Sequence, residues 1–150
     1  MNGQEHLNHD PGCLYQFRRT MKIHHVGYLA KNLEKSRNKY IEIGFIVERP
    51  VKYDDIRKIN IEFLVNGDYR VELIEPVDKE SPMYPLLARY KNTPYHFCYE
   101  VDDLDKAVAE LSDKHYTMMQ EPEVAPCIDN DRVVFMYNNS MGIIELVEIR

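Results

Sequence analysis

The chain of 150 residues has no tryptophan, three cysteines and no apolar run near the roughly 20 residues a bilayer-spanning helix needs. No membrane association is therefore expected. Cys13, Cys98 and Cys127 are an odd set without C-x-x-C spacing. That fits a reducing, cytoplasmic setting and thiols that are simply buried or idle. Basic residues are outnumbered, 19 Lys+Arg against 25 Asp+Glu, for a net charge of −6. Nucleic-acid binding needs clustered Lys and Arg, and the Arg18-Arg19 pair is no patch, so no nucleic-acid partner is expected. Residues 1–20 lack both periodicity and the apolar core of a signal peptide, and read as a flexible tail. What is present is 44% apolar sequence in a chain long enough to bury about 70% of its unfolded surface.

Read in order, the pattern predicts two similar halves. Residues 21–30 have strand character. Asn32 caps a helix with Leu33, Tyr40 and Ile41 on one face, and Gly44 closes it. Strand-like runs follow at 45–48, 59–65 and 69–74, the last two joined by Asn66-Gly67-Asp68, a hairpin signal. The second half repeats this: a strand at 95–101, a helix capped by Asp102 or Asp103 and carrying Leu104, Ala107, Val108 and Leu111, then strands at 118–119, 132–137 and 143–147. At an offset of 71, His25 falls on His96, Tyr28 on Tyr99 and Leu33 on Leu104. At an offset of 73, Glu72-Leu73-Ile74-Glu75 falls on Glu145-Leu146-Val147-Glu148. The expected fold is α+β: two paired βαβββ modules, residues 21–76 and 94–150 with a connector at 77–93, forming a curved, open barrel-like sheet.

Each half places one His on its first strand and one Glu on its last. His25 and Glu72 are 47 apart, and His96 and Glu145 are 49 apart. A pseudo-twofold axis brings all four to one point in the trough. Two imidazoles and two carboxylates suit one divalent ion of the Zn²⁺, Co²⁺, Ni²⁺ or Mn²⁺ type, with positions left for substrate. A single His or Glu in a strand is ordinarily structural; the matched placement in both halves carries the reading. His24 is expected on the opposite face, away from any metal. Tyr28 and Tyr99 are expected to pack between helix and sheet, and His6, His9 and His115 to face solvent. Cys98 shares the ligand face, lining the pocket or buried and inert. Asn130 or Arg132 lies near a substrate carboxylate, or belongs to a plain turn. Asp54 and Asp55 read as a solvated loop pair.

The segments IHHVGYLAKNLEKS, VELIEP, YHFCYEVDDLDKAVAEL and GIIELVE resemble the vicinal oxygen chelate superfamily, among it glyoxalase I-like proteins and methylmalonyl-CoA epimerases. The resemblance implies the paired βαβββ fold, a bound Ni²⁺, Co²⁺ or Zn²⁺ and a homodimer. It makes His25, Glu72, His96 and Glu145 metal ligands, with Glu145 and Glu72 as the acid–base pair. It implies, first, a glyoxalase I-type lyase turning a 2-oxoaldehyde–thiol hemithioacetal into a 2-hydroxy thioester. Second comes a methylmalonyl-CoA epimerase-type racemase acting on an acyl thioester at the same site. Third come the non-catalytic drug-binding relatives, which usually lack the quartet. An extradiol dioxygenase, with iron on two His and one Glu, fits less well because of the extra acid at Glu72. Glutathione-using glyoxalases commonly carry Arg and Asn where this chain has Leu29 and Pro76. Epimerases typically carry Glu-Glu-Gln-Gly where it has Asp54-Asp55-Ile56-Arg57-Lys58.

Overall fold

The computed structural model describes residues 20–150. The tail reading of residues 1–19, with Cys13, His6, His9, Arg18 and Arg19, lies outside them. In chain order the elements are β1 (Ile23–Leu29), α1 (Leu33–Glu42), β2 (Ile46–Asp54), β3 (Ile59–Asn66), β4 (Tyr69–Pro76), α2 (Tyr84–Tyr90), β5 (Thr93–Val101), α3 (Leu104–Ser112), β6 (Thr117–Met118), β7 (Glu123–Ala125), β8 (Asp131–Asn138) and β9 (Gly142–Glu148). The strands form one sheet ordered β2-β3-β4-β1-β5-β9-β8-β6, with β7 also on β8. Each half is a βαβ crossover extended by antiparallel hairpins: β1 lies parallel to β4 and β5 parallel to β9. The antiparallel pair β1–β5 joins the halves.

The internal symmetry extends to the helix caps. Asn32 and Asp103 each accept a bond from the amide three residues on, Lys35 and Lys106. Glu75 at the end of β4 accepts from the Leu33 amide at 2.7 Å, and Glu148 at the end of β9 from the Leu104 amide at 2.8 Å. Each carboxylate thus satisfies a helix-start amide and complements the helix dipole. Leu33 and Leu104 are anchored over their own halves. The first packs with Leu64, Val71 and Leu73, the second with Val134, Met136 and Leu146. Tyr28 meets Tyr40 edge-on under α1, and Tyr99 packs in the cluster under α3. Ile41 departs from its expected place and is exposed.

Three segments differ from the sequence reading. Strand β2 runs on to Asp54, through Pro50, rather than ending at Glu48. It is an edge strand, where proline's missing N–H deprives no ladder partner, and its register shifts between Arg49 and Lys52. The connector holds helix α2, with Pro85 in its first turn, where proline is tolerated. In the second half, β6 and β7 both pair with β8, opposite the β8 edge that joins β9. The β3–β4 hairpin turns at Gly67-Asp68, with only Gly67 at positive φ, 57°. That is the type II′ pattern rather than the type I′ implied by Asn-Gly.

Candidate metal centre and cavity

His25 and His96 stand on the two central strands, and Glu72 and Glu145 on their parallel neighbours. All four residues are at most 4% exposed. His25 Nε2 lies 3.2 Å from His96 Nε2, 3.5 Å from Glu72 Oε1 and 3.2 Å from Glu145 Oε2. His96 Nε2 lies 2.9 Å from Glu145 Oε2. Donor atoms bound to a shared ion at about 2.1 Å are about 3.0–3.5 Å apart at octahedral to tetrahedral angles. These distances match that spacing. Glu145 Oε2 and His96 Nδ1 are nevertheless buried without a hydrogen bond, and buried polar atoms ordinarily have one. The donor set and its unsatisfied atom therefore fit a divalent ion.

Two β-bulges shape the centre. Pairing of β1 with β5 shifts between Ile23 and His25, making His24 the extra residue. It shifts again between Gly27 and Tyr28, where Tyr95 is extra on β5. His24 and Tyr95 are themselves 71 apart. A bulge breaks strict alternation, and this overturns the expectation that His24 lies on the opposite face. Its Nδ1 lies 2.8 Å from His25 Nδ1. One of the two nitrogens must donate. Burial, followed by the nearby His25, lowers the His24 pKa to about 4, so His24 is neutral; in the tautomer that accepts from His25 Nδ1, the His25 Nε2 would be available to an ion. A histidine that binds a metal through one nitrogen characteristically donates from the other. On the other bulge, the Tyr95 ring meets His96 edge-on at 4.4 Å. Phe63 and Phe135, 72 apart, meet His25 and His96 edge-on at 5.6 and 5.1 Å.

The carboxylates are electrostatically unequal. Burial raises Glu72 to about 7, against the pull of His25 and with the help of Glu145. Glu145 is also raised by burial, but contacts from His25 and His96 outweigh it and hold the group well below the ordinary carboxylate range. Between pH 4.5 and about 7, folded metal-free protein thus keeps a proton on Glu72 that the unfolded chain has lost. This carboxyl's stabilisation is complete below pH 4.5 and lost as pH rises through about 7. A divalent ion must displace the same proton. Adding Zn²⁺ to metal-free protein at about pH 6 is expected to release protons, read with an indicator dye in weak buffer. At about pH 8 the release from this group shrinks; equal release at both values removes Glu72 from the ligand set.

A cavity of about 320 Å³ opens onto the centre, with Glu72, Glu145, Tyr95 and Phe135 among its lining. Its walls come from β3, β4, the segment around α2, and the second half. Cys98 is fully buried in the core, faces His25 in the strand register and does not line the cavity; burial pushes its thiol pKa well up. Asn130 is exposed in a left-handed turn at φ 59°. Arg132 shares its strand face with Val134 and Met136 and pairs with Asp105 of α3 at 3.0 Å. Neither lines the cavity. Asp54, expected in solvent, is 1% exposed and does line it. It accepts from the Ile56 and Arg57 amides and from Arg57 Nη1 at 2.7 Å, while Asp55 is exposed. Sequence reasoning missed Tyr95, Phe63 and Phe135, although their repeat offsets of 71 and 72 were available signals.

Among the described residues, no helix is long and apolar enough to cross a membrane. The family model for the Glyoxalase/Bleomycin resistance protein/Dioxygenase superfamily matches residues 22–135. The mitochondrial methylmalonyl-CoA epimerase of Bos taurus is 28% identical over 130 residues, which cover 85% of this chain and 73% of that protein. Among solved structures, a methylmalonyl-CoA epimerase from Mycobacterium tuberculosis superposes with a TM-score of 0.74 at 22% identity, covering 85% of this chain and 87% of that one. Hypothetical protein BH1468 from Bacillus halodurans C-125 reaches a TM-score of 0.79 at 18% identity, covering 88% and 96%.

Proposed function

The chain belongs to the Glyoxalase/Bleomycin resistance protein/Dioxygenase superfamily, and on that premise we propose that it is an isomerase moving the proton on the carbon next to a thioester carbonyl, in the manner of an epimerase. The carrying observation is the convergence of donor atoms from His25, Glu72, His96 and Glu145, two of which, Glu72 and Glu145, line the cavity. A divalent ion held by them supplies Lewis-acid stabilisation of the negative charge that develops on the carbonyl oxygen, worth several kcal/mol.

The chain's own groups account for the rest. Removing the α proton transfers it to a carboxylate oxygen, and the C–H electron pair becomes the C=C bond of an enolate. Returning a proton to the opposite face inverts the carbon. Two carboxylates related by the pseudo-twofold, Glu72 and Glu145, supply one acid–base group for each face. The apolar walls exclude water from the enolate.

The glyoxalase I-type reaction, ranked first from sequence, has less behind it. The named curated relatives are epimerases, and Leu29 and Pro76 are both buried, so neither offers a polar contact to a thiol. The test is deuterium uptake from D₂O at the α carbon of 2-methylacyl thioesters, followed by mass spectrometry. The expected result is uptake with metal-loaded protein and none after chelation. Turnover of a methylglyoxal hemithioacetal with no thioester exchange restores the lyase reading.

A further inference from the structure

The acyl group of that thioester is legible in the cavity walls; the inference deepens the reading just given and rests on it. Away from the candidate ligands, the walls are built from Ile59 and Ile74 of the first half, Met83 and Leu86 around the start of α2, and Met119 and Ile128 of the second half. Methionine and leucine side chains adapt to irregular apolar shapes. The volume, about 320 Å³, is at the lower end of small-molecule pockets, about 300–1,000 Å³.

The charged lining points the same way. Asp54, Glu72, Glu123 and Glu145 are acids, and Arg57 is the one cation among the described lining residues. Both arms of its guanidinium are engaged: Nη1 with Asp54 Oδ2 at 2.7 Å, Nη2 with Glu123 Oε2 at 3.1 Å. A divalent ion at the quartet is already matched by the charges of Glu72 and Glu145. A second carboxylate on the acyl group would be desolvated beside acids, with every lining cation committed, and an unpaired buried charge is strongly disfavoured.

We propose that the cavity takes an α-branched acyl thioester whose acyl chain is apolar and uncharged, in preference to a dicarboxylic acyl group. The metal-loaded full-length chain is compared on 2-methylhexanoyl and methylmalonyl thioesters by α-deuterium uptake. Isothermal calorimetry with the non-reacting thioether analogue of each gives binding separately. The apolar thioester is expected to lead in kcat/KM by about 100-fold or more, its analogue to bind more tightly in the same sense, and Leu86→Lys to narrow both gaps by adding a free cation to the wall. Equal or faster exchange of the methylmalonyl thioester overturns the proposal. Exchange with neither thioester sinks the proton-transfer reading instead; calorimetry then decides the cavity's preference alone, and equal or tighter binding of the dicarboxylic analogue overturns it.

Discussion

Exchanging His96 for alanine is expected to abolish tight binding of an added divalent metal and the proposed α-proton exchange while leaving the sheet folded. His96 Nε2 is one of four donors that approach a common point, 2.9 Å from Glu145 Oε2 and 3.2 Å from His25 Nε2. Losing one ligand weakens binding by more than the 10- to 100-fold typical of groups that only support a ligand. The readout besides activity is thermal. A ligand at about 1,000 times its dissociation constant stabilises the folded state by about 4 kcal/mol. The melting temperature of the metal-loaded natural chain is therefore expected to fall on chelation, and that of His96→Ala to move little. Truncating a buried side chain ordinarily costs about 2–5 kcal/mol. Here part of that cost is offset in the metal-free state, because the change removes His96 Nδ1, one of two buried side-chain atoms without a hydrogen-bond partner among the described residues.

Retention of stoichiometric metal by His96→Ala would move the centre elsewhere. The alternative in the structure is the neighbouring trio His24, His25 and Cys98, whose donor atoms also lie within 4.8 Å of one another. The chemistry disfavours it. The two histidines are hydrogen-bonded to each other through Nδ1 atoms 2.8 Å apart, which engages the nitrogens an ion would need. Cys98 binds a metal only as thiolate, and burial raises its pKa well above the ordinary value. A Cys98→Ser variant with unchanged metal content separates the two sites.

The repeat made the quartet legible before any coordinates. Offsets of 71 and 73 pair His25 with His96 and Glu72 with Glu145, and a duplicated module turns such pairs into a convergence. Alternation along a strand is a weaker guide where the ladder slips. Strict period-2 alternation puts His24 on the far face, and one bulge brings it to His25. Asp54 was read as solvated because acidic pairs before a strand usually are. Nothing local in the sequence announces that Arg57 folds back on it, or that Glu123, 66 residues away, completes the contact. Asn130 and Arg132 carry side chains suited to a carboxylate but stand outside the cavity lining. The alternation that buries Val134 and Met136 under α3 carries Arg132 to the same face. Pro82 and Pro85 mark a connector in sequence, yet Pro85 stands in the first turn of helix α2.

The same close packing makes Gly27→Ala the most disruptive single-methyl change available near the centre. Gly27 lies opposite His96 in the β1–β5 register. A Cβ there would lie 2.0 Å from His96 Cε1, 2.3 Å from Nδ1 and 2.6 Å from Nε2. Gly27 is not among the glycines with positive φ, so the backbone accepts alanine and the penalty is steric. The imidazole has nowhere easy to go: Tyr95, Phe135 and His25 meet it edge-on at 4.4, 5.1 and 5.3 Å. Overpacking of this kind costs about 1–3 kcal/mol, or a fall in melting temperature of about 3–10 °C for a chain of this size. Displacing the His96 ring also removes its nitrogen from the donor set, so metal content falls with stability. The double variant Gly27→Ala/His96→Ala isolates the cause. With the ring gone, the added methyl occupies the vacated space, and the double variant is expected to be more stable than Gly27→Ala alone while binding no more metal. If the two losses simply add, strand β1 is not what sets the position of His96, because independent sites are additive and touching ones are not.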